Sequence, residues 1–207
     1  MLPKRKNIRL NAYDYSEAGY YFVTICTESR KTILGRVVDS ETASTGLPSG
    51  SDYDTPVGVA VLGDPYVWNV GDPWGYSVGM PYTKLSQYGE ITKNNIIYIK
   101  DNMEGVDIDC FCIMPNHAHL IIQISTPMLG SPGTATPTGK SLSEIINGFK
   151  GVITRRIGKN IFQRNYYEHI IRDEWDLHET RKYILENPLK RTLDKYFFEK
   201  EGDAEIR

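Results

Sequence analysis

Apolar positions fall into two rhythms along this chain, one alternating and one helical. Gly19-Tyr-Tyr-Phe-Val-Thr-Ile-Cys-Thr27 is crowded with β-branched and aromatic residues and predicts a strand. Ile33 to Val38 reads as a second, short strand. From Thr83 to Met103 the rhythm changes: Leu85, Tyr88, Ile91, Asn95, Ile96 and Ile99 recur at helical spacing. Ser86 can cap this helix, Gly89 weakens its first turn and Gly105 suits its end. Val106 to Ile113 predicts a strand, and Met114-Pro-Asn116 a turn into another that carries Ile121, Ile122 and Ile124. So short a turn implies an antiparallel hairpin. A second helix follows from Ser141 to Ile157. Its capping-box pair is Ser141 and Glu144, and its apolar stripe is Leu142, Ile145, Ile146, Phe149, Ile153 and Ile157. Ile161 to Arg172 reads as the last strand. Asp176 to Asn187 reads as a further helix, with Asp176 as N-cap, Glu179 three residues on, and Pro188 ending it.

The main elements then run strand, helix, strand, strand, helix, strand. That is the split order of a ferredoxin-like α+β fold: one antiparallel sheet with helices on one face, here with an added C-terminal helix. The other face would be left for nucleic acid. Residues 39–81 do not join this pattern. Ser, Thr, Gly, Pro and Asp dominate there, and Gly63-Asp-Pro65 recurs as Gly71-Asp-Pro73, each followed by aromatics. These are turn units, so the stretch reads as an insertion in a single domain spanning 1–207. Ser125 to Gly139 has the composition of a flexible loop.

Charge sharpens this division. The chain of 207 residues carries a net charge of −2, at first sight a poor match to a polyanionic partner. Yet no Lys or Arg occurs from Val37 to Thr83, while Asp39, Glu41, Asp52, Asp54, Asp64 and Asp72 all do; without those six acids the net charge is +4. The remainder can therefore present a basic face to phosphate. Its candidates are Lys150, Arg155, Arg156 and Lys159 on the second helix, and an N-terminal arm with Lys4, Arg5, Lys6 and Arg9. The bland alternative for both is solvated charge. No apolar run has membrane-spanning length and the N-terminus lacks a signal-type segment, so a cytoplasmic protein is expected. Cys26, Cys110 and Cys112 lie in predicted strands and read as buried reduced thiols.

The chemistry centres on His117 and His119. On a strand they share one face, as two ligands of a metal site would; the alternative is a pair of surface histidines beside a turn. Met114-Pro-Asn-His-Ala-His-Leu120 resembles the His-hydrophobic-His motif of single-tyrosine transposases of small insertion sequences, above all the REP-associated group. Tyr183-Ile-Leu-Glu-Asn-Pro188 resembles that group's second motif, Tyr-Ile-x-x-Asn-Pro. The resemblance implies that Tyr183 is the nucleophile and that His117, His119 and Asn187 hold a divalent metal, Mg²⁺ or Mn²⁺. It further implies that single-stranded or hairpin DNA is cut and rejoined through a 5′-phosphotyrosine. Relatives act as monomers or homodimers. Tyr183 and Asn187, four residues apart, lie on one helical face. Tyr166 and Tyr167 are a second candidate pair of nucleophiles, and His169 and His178 read as structural or surface residues. Two other classes remain open: a domesticated single-strand-binding module without catalysis, and a metal-dependent phosphodiesterase using water.

Overall fold

The structure is a computed structural model describing residues 13–38, 59–61, 81–125 and 140–193. The N-terminal arm, the loop at 126–139 and almost all of 39–81 lie outside the described residues. Strands β1 (Gly19–Cys26), β5 (Val106–Met114), β6 (His117–Ile124) and β7 (Tyr167–Ile171) form one antiparallel sheet in the order β5-β6-β1-β7. Helix α1 (Gln87–Asn102) precedes β5, and α2 (Leu142–Ile157) joins β6 to β7. This is the expected split arrangement, with β6 seated between β1 and β5.

The helices α1 and α2 bury the sheet face that carries Tyr21, Val23 and Ile25 of β1 and Ala118, Leu120 and Ile122 of β6. Ile96, Ile99, Ile145, Phe149 and Ile153 answer them from the helices. The capping box at Ser141 and Glu144 forms, and Gly158, at φ 81°, closes α2 in the left-handed conformation that favours glycine. Ser86 caps α1, accepting from the Gly89 amide at 3.2 Å while its hydroxyl donates to the Ile33 carbonyl at 2.6 Å. Gly89 is there for close approach: a Cβ at that position would lie 2.0 Å from the Leu34 carbonyl oxygen.

Several boundaries differ from expectation, each for a tertiary reason. Thr83 does not begin the first helix; Tyr82–Leu85 is strand β4, paired with β2 (Gly35–Val38) in a separate two-stranded sheet. The stretch read as an insertion contributes a strand, β3 (Val59–Val61), to the main sheet beside β5. The last strand is shorter than Ile161 to Arg172. Phe162 makes only an isolated bridge to Thr27, and the carbonyls of Gln163, Arg164 and Asn165 turn toward the Lys150 ammonium instead.

The second sheet face is not left bare, contrary to expectation. Helix α3 (Glu174–Leu185) packs there, with Ile184 and Leu177 against Cys110, Cys112, Met114 and Ile121. A register shift makes this possible. Ile108 pairs with Ile122 but Cys110 pairs with Ile121, so Asp109 is an extra residue. Such a bulge exchanges the faces of every later side chain on its strand. Val106 and Ile108 therefore join the core beneath α1 and α2, whereas Cys110, Cys112 and Met114 face α3. The three cysteines are buried and unbridged, as expected. Burial pushes the Cys110 and Cys112 thiols up, away from reactive thiolate.

Candidate active site

His117 and His119 open strand β6 on the second face, with their Nε2 atoms 3.0 Å apart. Each ring is set from its other nitrogen. His117 Nδ1 lies 2.7 Å from Asn116 Oδ1, which can only accept, so the His117 proton sits on Nδ1 and the Nε2 lone pair points at His119. His119 Nε2 then donates across the pair, and its Nδ1 accepts from Thr24 Oγ1 at 2.8 Å. The Thr24 hydroxyl can equally accept, so His119 can move its proton to Nδ1 and free both Nε2 lone pairs.

This donor set fits a divalent ion. Two nitrogens at right angles, each about 2.1 Å from a common ion, lie about 3.0 Å apart, a spacing suited to octahedral coordination. Both imidazoles are also kept neutral, as ligation requires. Burial, aided by the charges of Arg191 and Arg30, pushes His117 down to about 4. Burial, aided by His117, pushes His119 down to about 3. Among the described residues no cluster of three or more His, Cys, Asp or Glu side chains forms.

Tyr183 reaches the pair from α3. Its ring centroid lies 5.4 Å from that of His119, edge to face, and 5.9 Å from that of Phe22, which itself stacks on His119 at 5.3 Å. Tyr183 is 41% exposed, open to a substrate. Ile184, fully buried on the next position, anchors the helix turn that carries it. Arg181 locks the helix to the bulge: its guanidinium grips the Asp109 carboxylate with two hydrogen bonds, Nε to Oδ2 at 2.8 Å and the second from Nη2 to Oδ1.

The ends of this helix differ from expectation. Asp173 is the N-cap, accepting from the Asp176 amide, while the Asp176 carboxylate holds His169 Nε2 at 2.8 Å. Pro188 does not end the helical path. Glu186 closes α3, and Asn187–Leu193 forms α4, where a proline in the first turn lacks no needed donor. Asn187 stays one turn beyond Tyr183, and its Nδ2 donates to the Tyr183 carbonyl at 3.2 Å. Its Oδ1 accepts no hydrogen bond among the described residues, leaving that oxygen available as a ligand atom.

The basic residues of α2 do not join this site. Lys150 is buried and donates to three carbonyls, so it braces the approach to β7 rather than gripping a phosphate. Arg155 and Arg156 are exposed on the helix that covers the opposite sheet face. Lys159, just beyond that helix, lies over the Tyr88 ring at 5.2 Å. Tyr166 is buried and its hydroxyl meets Ser143 Oγ at 3.1 Å, a structural place, whereas Tyr167 is 45% exposed on β7. His178 lies against Trp175. Sequence reasoning missed Thr24, Phe22, Arg30 and Arg191, which only tertiary contacts bring to the pair, and Asp109, which holds the tyrosine helix through Arg181. Asn116, inside the histidine motif, was the one supporting residue in plain view.

Comparison with known proteins bears on this geometry. A family model described as "Transposase IS200 like" matches residues 85–187, a span that contains both histidines, Tyr183 and Asn187. An uncharacterized protein of Haemophilus influenzae is 27% identical over 208 residues, covering 93% of each chain. A solved structure of a REP-associated tyrosine transposase bound to a REP hairpin is similar at 16% identity and a TM-score of 0.47, over 88% of this chain and 73% of that one. Through residues 85–187 the chain belongs to the IS200-like transposases, a family of DNA-processing enzymes.

Proposed function

We propose that this protein cuts and rejoins single-stranded DNA, presented alone or as the foot of a hairpin, by transesterification through Tyr183. The observation that carries the reading is the meeting of three side chains: two imidazole nitrogens converge at 3.0 Å, and the exposed Tyr183 ring lies against one of them. His117 and His119, with Asn187 Oδ1 as third donor, would hold Mg²⁺ or Mn²⁺. When bound, the ion supplies Lewis-acid polarisation of the scissile phosphate. The rest falls to the chain. Phe22 and Ile184 fix the tyrosine ring and its helix, so the hydroxyl is presented with little orientational freedom left to lose. Tyr183 Oη gives its proton to water and attacks phosphorus in line. The bond from phosphorus to the 3′-oxygen breaks, and that oxygen takes a proton from water. The products are a 5′-phosphotyrosine and a free 3′-hydroxyl, and attack by a 3′-hydroxyl reverses the step without ATP.

The test uses a hairpin oligonucleotide labelled at its 3′ end, with Mn²⁺ present. Wild-type protein should acquire the label in a denaturing gel, whereas a 5′ label should leave with the released strand. Tyr183→Phe should bind the hairpin but give neither adduct nor cut. His117→Ala and His119→Ala should lose cleavage by at least about a hundredfold while remaining folded. A cut without adduct in wild type and Tyr183→Phe alike would assign the chemistry to water. Binding with no cut at all would make the protein a binding module.

A further inference from the structure

The turn after β1 holds the only two non-glycine residues with positive φ among the described residues, Ser29 at 53° and Arg30 at 54°. Left-handed backbone is unfavourable for L-residues, and two in succession persist only where surrounding bonds enforce them. Here they do. The Thr27 amide and hydroxyl both reach the Asn116 carbonyl at 3.0 Å, the Glu28 amide donates to Ile161 O, and the Arg30 amide donates to Thr27 O. Leu34 N donates to the Pro115 carbonyl. The strained turn is thus bonded to the Pro115-Asn116 turn from which His117 emerges.

The result is an exposed arginine beside the histidine pair. The Arg30 charge is felt at His117, and its guanidinium has no ion pair or hydrogen bond among the described residues. Arg191 flanks His117 from α4, and Lys190 lies over the Tyr183 ring at 5.2 Å, although Lys190 is already paired with Glu186. Among the described residues, the charged groups that act on His117 are arginines. A metal site flanked by arginines and strained to keep one of them there is suited to a polyanion. The planar guanidinium fork matches a phosphodiester.

We propose that Arg30 is a phosphate-binding residue of this site, and that the left-handed turn at Ser29 and Arg30 serves to aim it at the single strand held beside His117. This rests on the reading of the site as a DNA-processing centre, but its readout is binding, not cleavage. A phosphate contact carries no sequence information, so the loss on removing it should be the same for unrelated oligonucleotides.

The test measures binding of a fluorescent single-stranded oligonucleotide to the full chain between about 50 and 200 mM salt. Arg30→Ala and Arg30→Gly should each weaken binding about tenfold and lower the slope of log affinity against log salt by about 0.7, the share of one phosphate on a single strand. Arg30→Lys should keep the slope and recover part of the affinity. Arg30→Gly should also raise the melting temperature by about 2–4 °C, since glycine accepts the left-handed backbone. Rising stability with falling affinity is a signature a merely structural arginine would not give. Wild-type affinity and slope in Arg30→Gly, or an Arg30→Lys no better than Arg30→Ala, would overturn the proposal. Wild-type protein that fails to bind at low salt would overturn both this and the DNA reading. Wild-type protein that binds without forming adduct would remove only the cleavage chemistry.

Discussion

His117 and His119 are neutral well below the pH at which an ordinary imidazole takes a proton. Burial dominates both shifts, leaving His117 near 4 and His119 near 3. Protons should therefore not compete for the pair in mildly acid solution. Mn²⁺ affinity, followed by electron paramagnetic resonance, should be nearly constant between about pH 5.5 and 7.5; two ordinary imidazoles would lose about a hundredfold over that range. A hundredfold drop would mean that the pair opens to water. The same shifts act on folding of the metal-free protein. The unfolded chain takes up protons as pH falls through about 6.5 while the folded chain does not, so stability declines below about 6.5, toward 4 and then 3. Chemical denaturation across that range reads this decline directly.

At the scale of elements, the site depends on α3 lying on the second sheet face. Two features hold it: Ile184 and Leu177 packed on β5 and β6, and the Arg181–Asp109 pair at the bulge. The Asp109 side chain is 12% exposed and that of Arg181 40%, so solvent screens the pair in part and its loss should cost about 1 kcal/mol. Asp109→Asn keeps the shape of the bulge and removes the charge. Amide hydrogens of α3 should then exchange roughly fivefold faster and adduct formation should slow, while the amides of β6 should exchange as in wild type. Unchanged exchange in α3 would show that the apolar contacts alone hold the helix.

For the whole molecule, the consequence is that histidines and tyrosine meet within one chain. Tyr183 lies against the His119 of its own sheet, and α3 docks on its own β5 and β6. A mixture of Tyr183→Phe and His119→Ala proteins should therefore form no adduct. Recovery of activity on mixing would show that two copies exchange their tyrosine helices. On the proposed function, DNA would run over the face of α3 and α4, away from the helix that carries Arg155 and Arg156. No helix among the described residues is long and apolar enough to cross a membrane.

The alternating and helical rhythms of the sequence by themselves determined the four main strands, both core helices, the capping box at Ser141 and the shared face of His117 and His119. These follow from local periodicity, which is the same whatever the neighbours are. The choice of Tyr183 among fourteen tyrosines came from motif resemblance, since nothing local distinguishes that ring. Tertiary structure decided the remainder because each outcome is a competition between distant partners. Thr83 left the helix because β2 offered a ladder, and Asp176 lost the cap because His169 took its carboxylate. Lys150 turned inward to three carbonyls that no spacing reveals. One unpaired residue at Asp109 moved Cys110, Cys112 and Met114 to the opposite face, and so built the floor on which the tyrosine helix rests. A bulge is a property of two strands in register, and a single strand read alone carries no sign of it.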